Sequence, residues 1–327
     1  MKIVIADRNL TRLRAEREAG LPANTQVLWP DPGDAAALEA AVSDADVLVS
    51  GLCPAELGAA GKKLRLVHVP GAGTDGIDVA ALPAGAVVAN TRHHEDAIAE
   101  YVVAAAILLR RGFLAQDRAL REERWTTPVY DPALAWQDSL ATATVGFVGF
   151  GHIGALTWER LRTFGARGLA VTRGGDVDAA ARGLEWSGTT DDLGTLLSRS
   201  DIVVVSAPLT PETTGMVGAS ELARMPRHAV LVNVGRGPLV DQHALFEALR
   251  DKRIGGAAID VWYRYPAEGA IGAPADLPFH ELPNVLMTPH SSGLTRQTFA
   301  GRAADIAANI RRLAAGEPLT NVVAVAR

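Results

Sequence analysis

Three side chains whose types could do chemistry on a small ligand stand at the ends of short apolar runs: Arg236 in NVGRGPLVD, Asp260 in AIDVWYRYP and His290 in TPHSSG. A guanidinium offers a rigid fork of donors that matches a carboxylate, and an imidazole exchanges its proton near neutral pH. Taken singly, an arginine in a glycine-rich turn is more often a surface residue, and a histidine after Thr-Pro is more often a loop donor. Together they define a site if their strands share one parallel sheet, because the carboxyl ends of such strands line the ligand crevice.

A fourth stretch, Gly149-Phe-Gly151-His-Ile-Gly154, follows the strand-like TVGFV directly and opens a helix, which is the context of a dinucleotide fingerprint. Gly149 permits the tight turn, Gly151 lets backbone approach a pyrophosphate, and Gly154 lets helix and strand pack closely. His152 and Ile153 open the helix, whose free N–H groups and positive dipole end favour phosphates. The next strand, GLAVTRGG, ends on Thr172 and Arg173 where an NAD site usually carries an acid, and the nearest acid, Asp176, lies beyond two glycines. Loss of a carboxylate and gain of a guanidinium suits a 2′-phosphate, so NADP is favoured and NAD stays open, since Arg173 is also explicable as an exposed strand-end residue. Pro208, Leu209 and Thr210 fit a loop over the cofactor, with ordinary turn chemistry as the competing explanation, and Val234 belongs to the same cofactor-binding expectation.

The elements that must position these residues alternate. KIVIAD, DVLVS, LRLVHV and AVVAN are short β-branched runs separated by Ala/Leu-rich stretches such as DAAALEAAV. That rhythm predicts βα units around a parallel sheet. Ala97 to Arg110 reads as one long buried helix, after which the rhythm restarts with TVGFVGF and continues through GAAIDVW. The expected architecture is α/β, with two doubly wound parallel-sheet domains, Rossmann-like and flavodoxin-like, and a cleft between them. Residues 1–95 with 293–327 are expected to form one domain, flavodoxin-like and left for the substrate, and 96–292 the dinucleotide-binding domain, with hinges near Asp96 and His290. Thr295 to Ala315 is expected to be a helix returning to the first domain.

Composition narrows the partners. The chain has 327 residues, 48% hydrophobic, with a net charge of −5 and no basic run, so nucleic acid is not expected. The single cysteine, Cys53, forms neither an internal disulfide nor a thiolate cluster and reads as a buried thiol in a reducing compartment. No apolar stretch is long enough to span a bilayer, and the N-terminus lacks a signal peptide's apolar core. A cytoplasmic protein is the expectation. No metal is expected either: His93 and His94 are adjacent but lack a spaced carboxylate.

Through GAGTDGID, HEDAIAEYV, VGFVGFGHIG, APLTPET, NVGRGPLVD and TPHSSG, the chain resembles the D-isomer-specific 2-hydroxyacid dehydrogenases over nearly its whole length. The resemblance implies hydride transfer between NADP(H) or NAD(H) and a small 2-oxo or 2-hydroxy acid, of D stereochemistry, in a homodimer. It implies that Arg236 binds the anionic substrate, that His290 is the acid/base, and that the backbone of Gly71, Ala72 and Gly73 holds the substrate carboxylate. It places Asp260 at the nicotinamide end. His94 either borders the substrate or is a solvated loop histidine. In the usual family pattern a Glu immediately precedes the proline after the Asp-Val segment and stabilises the imidazolium. Here Tyr265 stands in that place, a neutral partner that orients His290 without charge, and Glu268 is the substitute if the loop folds back. The missing Glu also leaves open a rival reading, a non-catalytic dinucleotide-sensing module like the corepressors of the same fold.

Overall fold

A computed structural model of the chain describes residues 1–11, 14, 20–266 and 269–327. Glu268 therefore lies outside the described residues. The chain divides into two compact units, Met1–His94 with Leu294–Arg327, and Glu95–Gly293.

The first unit is built on β1 (Lys2–Ala6), β2 (Gln26–Leu28), β3 (Val47–Ser50), β4 (Leu66–His68) and β5 (Val87–Ala89). These strands run parallel in the order β2-β1-β3-β4-β5, a flavodoxin-like arrangement. A further strand, β13 (Val322–Val325), adds antiparallel to β5. The apolar runs are continuous because both faces are covered. Val4, Leu48, Val67 and Val88 face one core, while Ile3, Ile5, Val47, Val49 and Leu66 face the other. The helix Arg296–Ala315 closes that second face with Ile306 and Ile310, and Thr295 caps it by accepting the Thr298 N–H. Cys53 is buried in the first core, where desolvation, with a smaller push from the Asp78 charge, drives its thiol up to about 11.

The second unit carries β6 (Thr144–Val148), β7 (Arg167–Thr172), β8 (Trp186–Thr189), β9 (Ile202–Val205), β10 (Val230–Asn233), β11 (Gly256–Ile259) and β12 (Val285–Met287). All run parallel, in the order β12-β11-β10-β9-β6-β7-β8. The strand order reverses between β6 and β9, so the crevice predicted for a ligand opens at the carboxyl ends of those two strands. The long helix spans Glu95–Arg110, and its alanines at 97, 99, 105 and 106 are buried, which lets it lie close against the helix His152–Leu161 and the strands β10 and β11. Between the helix Phe113–Arg121 and β6, the 125–139 segment leaves Trp125, Val129, Tyr130 and Trp136 largely exposed.

Candidate active site

At the reversal point a groove of about 1340 Å³ is lined by Gly149, Gly151, Thr172, Arg173, Pro208 and Thr210, among others. The three glycines meet three different constraints. Gly149 has φ +88°, and a Cβ there would come within 2.7 Å of the Ala207 nitrogen. A Cβ on Gly154 would press to 2.9 Å from the Gly149 carbonyl oxygen, whereas one on Gly151 would meet nothing within 4 Å. The middle glycine thus faces open space at the start of a 10-residue helix whose N-cap, Gly151 itself, has no side chain to occupy the free N–H groups. These features fit a dinucleotide pyrophosphate. His152 and Ile153 are the first helical residues.

Farther along the groove, the Thr172 hydroxyl accepts the Gly175 N–H at 3.0 Å and pairs with Asp176 at 3.3 Å. The turn so formed leaves Arg173 exposed on the groove wall. Arg182 lines the same wall, on a short helix whose end is pinned by the Trp158 indole N–H donating to the Arg182 carbonyl at 2.8 Å. Sequence reasoning missed Arg182 because a turn and that short helix separate it from the strand end. In the same groove, the Thr210 hydroxyl, its own backbone N–H and the nearby Arg173 charge hold the Glu212 carboxyl below the usual range.

Arg236, Asp260 and His290 follow β10, β11 and β12, three adjacent strands. Asn233, buried at the end of β10, braces the first turn: its amide donates to the Arg236 carbonyl at 3.0 Å and accepts the Gly235 N–H at 3.2 Å. Gly237 is required because a Cβ would strike the Trp262 carbonyl. Asp260 is fully buried, and both its oxygens are taken by the TPHSS loop. Thr288 Oγ1 donates at 2.6 Å and Ser291 N–H at 2.9 Å, and Ser292 gives its N–H at 3.1 Å and its hydroxyl at 2.5 Å. The Trp262 indole N–H adds a bond to the Thr288 carbonyl at 2.8 Å. Within this loop His290 adopts φ +55°, a left-handed conformation that a non-glycine residue holds only at a cost.

The Tyr265 hydroxyl lies 3.0 Å from His290 Nδ1, and it also accepts the Trp262 backbone N–H at 3.2 Å. The phenol therefore occupies the Nδ1 side of the ring, which makes Nε2 the nitrogen suited to exchange a proton with a substrate. The sequence-expected partner of His290 is thus within hydrogen-bond distance of its ring. Of the two remaining residues placed at the cofactor by sequence, Val234 is buried in the core and Asp260 is committed to the loop, and neither lines the groove.

Residues 103–292 match the family model described as D-isomer specific 2-hydroxyacid dehydrogenase, NAD binding domain. The glycerate dehydrogenase of Methylorubrum extorquens is 34% identical over 272 residues, covering 80% of this chain and 79% of that protein. The chain belongs to the D-isomer-specific 2-hydroxyacid dehydrogenase family. It is thereby an NAD(P)-dependent dehydrogenase of 2-hydroxy acids. Similarity extends to the D-3-phosphoglycerate dehydrogenase of Mycobacterium tuberculosis, 32% identical over 99% of this chain but only 58% of that longer protein. A solved 2-hydroxyacid dehydrogenase from Xanthobacter autotrophicus Py2, in complex with NADPH and MES, superposes with a TM-score of 0.77 at 29% identity, covering 99% of this chain and 98% of that one.

In the dehydrogenase's other unit, the backbone of Gly71, Ala72 and Gly73 follows β4. The loop is held by the Asn90 side chain donating to the Ala72 carbonyl at 2.8 Å and the Thr91 N–H donating to the Gly71 carbonyl at 3.1 Å. A Cβ on Gly71 would meet nothing within 4 Å. His94 is half-buried at the end of this unit, and its neighbour His93 is a structural residue, with φ +72° and its ring 2.8 Å from Asp305. Among the described residues, no group of three or more His, Cys, Asp or Glu is placed to hold a metal ion, and no helix is long and apolar enough to cross a membrane.

Proposed function

We propose that the dehydrogenase interconverts a small 2-oxo acid and its D-2-hydroxy acid with NADP(H) preferred over NAD(H). The observation that carries this reading is the row of three strand ends, β10, β11 and β12, delivering Arg236, Asp260 and His290 in the same sheet as a groove that fits a dinucleotide. The Arg236 fork pairs with the substrate carboxylate and polarises the 2-oxo group, and the backbone of Gly71, Ala72 and Gly73 is the other unit's candidate source of N–H donors for a carboxylate. His94 borders the substrate in this reading. When bound, the nicotinamide supplies the hydride. In reduction, His290 starts as the imidazolium and passes its Nε2 proton to the substrate oxygen. Its Nδ1–H stays on the Tyr265 oxygen before and after, so no change of tautomer is needed. Asp260 holds the turn that aims the ring. Gly149, Gly151, His152 and Ile153 receive the pyrophosphate, Pro208 covers the cofactor, and the backbone at Val234 borders it.

Preference for NADP(H) is supported by Thr172 in place of an acid and by two arginines, Arg173 and Arg182, on the groove wall. A homodimer formed through the nucleotide-binding unit, in the cytoplasm, completes the reading; the exposed Trp125, Tyr130 and Trp136 are the apolar surface such an interface would cover, and light scattering on the purified chain tests it. The activity is tested by following NADPH and NADH consumption with glyoxylate, hydroxypyruvate and pyruvate, with chiral analysis of the product. No turnover with any of the three would sink the proposal.

A further inference from the structure

We propose that the Tyr101 hydroxyl is a positioning group for His290, acting through Thr288 and Asp260; the proposal rests on the acid/base reading of His290. Tyr101 lies in the helix Glu95–Arg110, and its oxygen is 3.0 Å from Thr288 Oγ1, which is itself 2.6 Å from Asp260 Oδ1. A threonine has one hydroxyl proton. The shorter bond to a carboxylate claims it, so toward Tyr101 the Thr288 oxygen acts as acceptor and the phenol donates. Burial, reinforced by the Asp260 charge, pushes the Tyr101 hydroxyl up to about 12, so it keeps its proton at every working pH.

The consequence falls on the loop. Asp260 takes donors from Thr288 on one flank of His290 and from Ser291 and Ser292 on the other, so one carboxylate staples both sides of a left-handed residue. Such a conformation persists only where its surroundings over-determine it. Without the Tyr101 proton, Thr288 is free to turn its hydroxyl elsewhere, and the staple loses its upstream leg. Tyr101 thereby ties the acid/base turn to a helix packed into the core of the unit.

The test is a double-mutant cycle on the full-length enzyme. Tyr101→Phe, which removes one oxygen and keeps the ring, is expected to lower kcat for oxo-acid reduction about five- to tenfold, as for loss of one hydrogen bond to a group that must be held in place. KM and the NADPH dissociation constant should stay within about twofold of the parent. In a Thr288→Val background the same substitution should cost nothing further, because its route to the loop is already cut. A Tyr101→Phe enzyme with unchanged kcat overturns the proposal, and so do losses that multiply in the double variant. Loss of NADPH-binding stoichiometry in step with kcat also overturns it, since that is a folding effect. If Thr288→Val does not fold, Thr288→Ser, which keeps the hydroxyl, must leave the Tyr101→Phe loss in place. His290→Asn reports separately on the underlying reading: turnover that survives it removes the acid/base role itself, whatever Tyr101 does.

Discussion

Replacing Tyr265 by glutamate would place a charge where the structure holds a neutral oxygen, and the size of the effect follows from the geometry. The phenol oxygen is 3.0 Å from His290 Nδ1, so a carboxylate reaching the same place would sit about 3 to 4 Å from the ring. Two unit charges about 4 Å apart interact by about 1 kcal/mol in water and about 4 kcal/mol at an effective dielectric of about 20. At about 1.4 kcal/mol per pH unit, this brackets the shift between roughly one and three units. Tyr265 is 52% exposed, and His290 is exposed as well, so solvent screening puts the expected value at the low end, about one unit. The sign is upward: a negative neighbour favours the imidazolium. Because the proposed reduction needs His290 protonated, kcat/KM for the oxo acid should fall as pH rises through its titration, and Tyr265→Glu should carry that limb about one unit higher. In the oxidation direction the gain in activity should be delayed by the same amount. Tyr265→Phe is the control; it should lower kcat by removing one tether of the ring, without moving the limb upward. The assay is the pH dependence of kcat/KM for one oxo acid with all three proteins. Overlaid profiles for the parent and an active Tyr265→Glu enzyme would refute the pairing of Tyr265 with His290.

Other substitutions probe the rest of the reading. Arg173→Ala should weaken NADPH binding by about 1 to 3 kcal/mol and leave NADH nearly unchanged, measured by fluorescence titration; equal losses would remove Arg173 from the 2′-phosphate site. Glu212→Gln, in the same groove, should tighten NADPH about twofold, because it withdraws a negative charge that competes for Arg173. Arg236→Lys should cost activity although it keeps the charge, since an ammonium cannot reproduce a planar two-point contact with a carboxylate, and unchanged kcat and KM would place Arg236 outside the site. In the other unit, burial lowers the His68 imidazole to about 4, the Asn309 amide donating to its Nε2 at 3.0 Å. The unfolded chain takes up that proton near pH 6.5 and the native chain does not, so stability should fall by about 3 kcal/mol as pH drops from about 6.5 to about 4. Urea unfolding across that range should show the slope, and His68→Leu should flatten it.

What the sequence makes legible divides along the range of the forces involved. The glycines of VGFVGFGHIG announce themselves because each answers a constraint within a few residues or one strand away, a positive φ at 149, open space at 151 and a carbonyl at 154. Central strands are legible for the same reason, being short runs buried on both faces. The edge strands β2 (QVL) and β8 (WSGT) are not, because they are short, partly exposed and carry little apolar signal, and β13 (VVAV) is an isolated apolar run left mostly exposed at the sheet edge. Tyr265 could be flagged by its place before a proline, and its bond to His290 follows from that place. The partners of Asp260 could not be flagged. They are remote in sequence, and they meet it only because β12 pairs with β11 in one register, Ile259 beside Met287.

That register also explains how Asp260 comes to hold the loop that carries His290. Once Ile259 and Met287 are level, the residue after each strand emerges at the same height, and Asp260 faces the Thr288 hydroxyl and the N–H groups of Ser291 and Ser292. A buried carboxylate with that many donors in reach is held by them all. Holding the turn thus falls to Asp260, and holding the ring falls to Tyr265. In the proposed reaction, orientation of His290 is over-determined while the group at its Nδ1 is neutral. An acid/base tuned by position in this way should be sensitive to anything that loosens the 288–292 turn, and much less so to changes of surface charge around it. Neutralising Asp276, which pairs with Arg264 beside the Tyr265 segment, should accordingly leave the pH limb of kcat/KM where it is. A limb that moved by a full unit in Asp276→Asn would show that long-range charge, and not the turn, sets the titration of His290.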